Sequence, residues 1–123
     1  MSRFGYTESF FSARSGQECL QAAADALSSL GCRPAPAADG TEVSGSMGKG
    51  WAIRLLGAVI APVEWFPVRL SVGVRDTGEQ REVTLRVDEN FGPGSLVGVE
   101  KKIRTYCDDL GGRLSRLLKD RLT

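Results

Sequence analysis

Between residues 66 and 75, apolar and polar side chains alternate. Phe66, Val68, Leu70, Val72 and Val74 fall on one side, and Arg69, Ser71 and Arg75 on the other. Residues 81–88 repeat the pattern, with Val83, Leu85 and Val87 against Glu82, Thr84 and Arg86. A period of two with one apolar face predicts strands of an antiparallel sheet covered on one side. The intervening Asp76-Thr77-Gly78-Glu79-Gln80 has the composition of a hairpin loop. Two further strands are predicted upstream. In 41–47, Val43, Gly45 and Met47 share a face; in 51–60, Trp51, Ile53, Leu55 and Val59 do, with Arg54 opposite. Residues 4–13 form an aromatic-rich first strand with Phe4, Tyr6 and Phe10 on one face.

Two stretches switch to a helical period. Ser15-Gly16-Gln17-Glu18 has capping-box spacing, and Leu20, Ala23, Leu27 and Leu30 follow at helical intervals before Gly31, which predicts a helix over 16–30. Cys32 to Gly40 (CRPAPAADG) reads as a surface connection. From about Leu96, the residues Val99, Ile103, Tyr106, Leu110, Leu114 and Leu117 form an apolar stripe, widened by Cys107 and Leu118. The sheet's bare face and this stripe need each other. The expected fold is α+β, in the order β-α-β-β-β-β-α, with a curved antiparallel sheet packed on one face by a long C-terminal helix. It forms a single domain over 1–123. This order of elements resembles the TATA-binding-protein-like or helix-grip fold, of which START-like lipid and hormone binders are a larger version. The resemblance rests on topology without shared motif residues. It implies an architecture and a cavity, and carries over no site.

Composition narrows the functional classes. The chain of 123 residues is 41% hydrophobic and 25% charged, with net charge +1, so no global field recruits nucleic acid or an acidic membrane. Residues 101–123 are locally basic, with seven basic and three acidic groups. There is no histidine, which removes the commonest general base and the triads built on it. Cys19, Cys32 and Cys107 lack CxxC spacing, arguing against a zinc site or a disulfide framework. No signal-type apolar segment opens the sequence, and the uncharged apolar run Leu55–Val63 is too short to span a membrane. A reduced, cytoplasmic protein without metal or cofactor is the expectation.

Two glycine-rich stretches look like phosphate loops and fail on spacing. Gly92, Gly94 and Gly98 in NFGPGSLVG are one residue too far apart for a dinucleotide fingerprint, and no parallel strand can follow. Around Gly45–Gly50, Val43 stands where the first P-loop glycine belongs, and Gly50 where the magnesium-binding hydroxyl belongs. Three candidate surfaces remain. Tyr6, Phe10, Trp51, Trp65, Phe66 and Tyr106 would line an apolar ligand pocket if the helix stands off the sheet, and form core otherwise. Arg54, Arg69, Arg75 and Arg86 would form a basic sheet face for nucleic acid, or a solvated face with cross-strand ion pairs. Glu64, or Asp88 with Glu89, would serve a histidine-free enzyme. A single sheet also has two edges to protect, of which Pro67 guards at most one, so self-association or a protein partner is expected. The favoured reading is a non-catalytic binding or interaction module, with a nucleic-acid binder or a small enzyme as alternatives.

Overall fold

A computed structural model describes residues 5–37, 40–48, 66–89 and 100–122. The elements are β1 (Gly5–Ser12), α1 (Gly16–Ser29), β2 (Ala35–Pro36), β3 (Glu42–Met47), β4 (Val68–Asp76), β5 (Arg81–Glu89) and α2 (Glu100–Leu122). The strands form one antiparallel sheet in the order β1-β5-β4-β3-β2. Both helices lie on one face of it. α1 packs on β3 and β4, α2 packs on β5 and β1, and the helices touch each other. The fold is therefore α+β, with two layers and a long C-terminal helix on the sheet.

The strands obey the period that predicts them. Val68, Leu70, Val72, Val83, Leu85 and Val87 are fully buried, while Arg69, Arg75 and Arg86 point to the opposite, exposed face. The turn between β4 and β5 closes through Thr77 N–H donating to the Gln80 carbonyl at 3.0 Å. Gly78 adopts φ +104° there, a conformation that side chains disfavour. α1 begins where its cap predicts: the Ser15 hydroxyl accepts from the Glu18 N–H at 3.1 Å. Its buried face is small, with Cys19, Ala22, Ala23, Ala26 and Leu27, which lets the helix sit close on β3 and β4.

Three details differ from the sequence reading. The buried stripe of α2 runs through Ile103, Cys107, Leu110, Leu114, Leu118 and Leu122, whereas Tyr106 and Leu117 are half-buried at its margin. The predicted connection 32–40 contains β2, whose Ala35 and Pro36 pair with Ser44 and Val43. Pro67 precedes β4, a central strand, so it guards no edge; Pro36 stands on the β2 edge, where a missing N–H costs least. The predicted strand 51–60, with Trp51 and Arg54, lies outside the described residues, as do Glu64, Trp65 and the loop Gly92–Gly98.

Candidate functional site

Among the described strands, the sheet's two edges are unlike. β2 has two residues, one of them proline. β1 has eight residues without proline, and its pairing with β5 runs unbroken from Gly5 opposite Asp88 to Ser12 opposite Arg81. No bulge interrupts it, and no described strand pairs with its other side. Gly5, Thr7, Ser9 and Phe11 face outward, and Phe11 is 53% exposed, the large hydrophobic side chain most open to solvent among the described residues.

The inward side of β1 carries Tyr6, Glu8, Phe10 and Ser12. Period-two alternation thus puts a carboxylate on the face that the helices cover. Glu8 Oε1 accepts from the Tyr6 hydroxyl at 2.6 Å, and Oε2 accepts from the Ser115 hydroxyl at 2.7 Å. Lys119 Nζ lies 2.6 Å from the same Oε2. These donors, Lys119 first and then Tyr6 and Ser115, pull the Glu8 carboxyl down to about 2, outweighing the opposing effect of partial burial. The hydrogen bond to this carboxylate, aided by desolvation, raises the Tyr6 hydroxyl above its ordinary value. Lys119 also sits 5.9 Å from the centre of the Phe10 ring. At the end of the same strand, the Ser12 hydroxyl donates to the Leu122 carbonyl at 2.8 Å. Gly111 completes the fit: a Cβ there would run into the Tyr6 ring, so glycine lets strand and helix approach. Together these contacts latch β1 to α2.

The latch has a pH signature. The folded-state pKa of Glu8 lies below its ordinary value of 4.5, so the latch stabilises above that pH and is lost as pH falls towards about 2. With Glu8 28% and Lys119 47% exposed, solvent screening reduces the contribution to about 1 kcal/mol. Glu8→Gln should therefore cost about that much at neutral pH and little near pH 2. Urea unfolding at both pH values checks this, and an equal effect at both would show that the charge is irrelevant.

The other candidates separate. Phe66 is buried in the core, while Tyr6, Phe10 and Tyr106 are half-buried against it. Arg69, Arg75 and Arg86 share the exposed sheet face with acidic neighbours: Arg75 bonds Glu82 at 2.9 Å, Arg86 lies 3.8 Å from Asp88, and Arg69 is opposite Asp88 in register. Asp88 and Glu89, as successive strand residues, point to opposite faces and do not converge. Burial raises the thiols of Cys19, Cys32 and Cys107, the last to about 11, which leaves little thiolate at neutral pH. Among the described residues no group of acidic or cysteine side chains has the arrangement of a metal site, and no helix is long and apolar enough to cross a membrane. Glu8, Ser115 and Lys119 are absent from the sequence-derived sites. The available signal was an acidic residue between Tyr6 and Phe10 on an apolar strand face. No protein-family model matches the chain, and no curated protein matches it.

Proposed function

We propose that the protein is a non-catalytic interaction module that binds an extended protein segment along the side of β1 that no described strand occupies. The observation that carries this reading is a long, unbulged edge strand tied to α2 by the Glu8 latch. Such an edge presents a row of backbone donors and acceptors that an added strand satisfies. The tie to α2 means little ordering is left to do on binding, which favours affinity. The ion pairs on the arginine face support a solvated surface over a phosphate-binding one. The two-layer arrangement, with β1 beside β5, supports the helix-grip resemblance as one of architecture.

Selection of binders from a random peptide library, followed by amide exchange on the complex, tests the reading. Selected peptides should be extended and should protect amides of β1. Peptides that protect the arginine face or the β2 edge instead would sink it.

A further inference from the structure

Resting on that reading, we propose that the segment bound at β1 is β1 of a second copy of the chain. The pairing is antiparallel about a two-fold axis at Ser9. Symmetry restricts the choices. A two-fold axis perpendicular to the sheet keeps both inner faces on one side, so each residue opposes one of its own parity and the axis passes through a single residue. Axes at Thr7 or Phe10 overlap fewer of the residues Gly5–Ser12 than axes at Glu8 or Ser9. An axis at Glu8 sets the two Glu8 carboxylates directly opposite each other, a like-charge pair.

The Ser9 axis pairs every position acceptably. On the outer face, Ser9 meets Ser9 of the second copy. Thr7 meets Phe11, so the 53%-exposed ring gains a β-branched neighbour. On the inner face, Tyr6 meets Ser12 and Glu8 meets Phe10. Lys119 lies beside both Glu8 and Phe10 of its own chain, at 2.6 Å and 5.9 Å. The second copy's Glu8, opposite Phe10, therefore arrives next to a lysine already poised there. Two carboxylates and two ammonium groups then alternate around the axis. α2 underlies β5 and β1, so joining the edges brings the two α2 helices to about 10 Å, a helix-packing distance.

Sedimentation equilibrium and thiol cross-linking decide the matter. The chain should dimerise, being largely dimeric at about 100 μM. Ser9→Lys, an exposed change that sets like charges on the axis, should weaken association at least about tenfold while leaving the circular dichroism spectrum unchanged. Ser9→Cys should form an interchain disulfide on mild oxidation, since opposed strand residues lie within disulfide reach. Thr7→Cys should not, because its two copies are about 14 Å apart. The native cysteines are buried and do not compete. A chain that stays monomeric at that concentration overturns the proposal. So does a dimer that survives Ser9→Lys or cross-links through Thr7→Cys. A monomer whose β1 amides are still protected by selected peptides would overturn self-pairing alone and leave the interaction module standing.

Discussion

Leu114→Ala is expected to lower the unfolding free energy by about 2–5 kcal/mol, the range for leucines that leave a cavity in a close-packed core. Leu114 has no solvent exposure and sits in the middle of the α2 stripe, within one continuous cluster that includes Leu70, Leu85, Leu110 and Leu118. Leu117, three residues on, is only packed against that cluster. Leu117→Ala should cost about 1 kcal/mol, since its side chain is only partly removed from water and leaves no enclosed cavity. Urea midpoints for the two variants check the ordering. Equal losses would mean that α2 does not turn its Leu110–Leu114–Leu118 face to the sheet.

The adjacent glycines of α2 should respond to alanine with opposite signs. A Cβ at Gly111 meets the Tyr6 ring, whereas one at Gly112 meets nothing within 4 Å. Alanine in a helix interior gains about 1 kcal/mol over glycine when space is free. Gly112→Ala should therefore stabilise by about that amount. Gly111→Ala should destabilise by about 1–3 kcal/mol, because overpacking against a ring on a latched strand outweighs the helix gain. Adding Tyr6→Ala should reverse the sign at Gly111, and a double-mutant cycle from thermal or urea unfolding measures the coupling. Additive effects would show that strand and helix are not in contact there.

The sequence was most legible where one periodicity meets one buried face. β4, β5 and α1 lie within two residues of their predicted bounds, because alternation or a cap fixes them locally. β2 was hidden because nothing in Arg33-Pro34-Ala35-Pro36 favours a strand. It exists through β3, whose Glu42 carbonyl accepts from the Ala37 N–H at 2.8 Å. The α2 stripe was read slightly to one side, since Tyr106 and Leu117 are as apolar as the residues beneath the sheet. Which of them is covered depends on where β5 and β1 lie. The latch was illegible for a stronger reason. Glu8 sits 107 residues from Ser115, and a carboxylate on an apolar strand acquires its meaning only from donors brought by the fold.

The latch also orders events during synthesis. β1 is made early, yet its partners come late: Ser9 meets Thr84 across 75 residues, and Ser12 reaches Leu122 across 110. While β4 and β5 can join as a hairpin as soon as they leave the ribosome, β1 must wait with Tyr6 and Phe10 uncovered. Its pairing with β5 closes a long loop, and its fastening comes later still, when Ser115 and Lys119 emerge. A nascent chain halted before α2 would therefore hold its own first strand unsecured, a natural target for holdase chaperones.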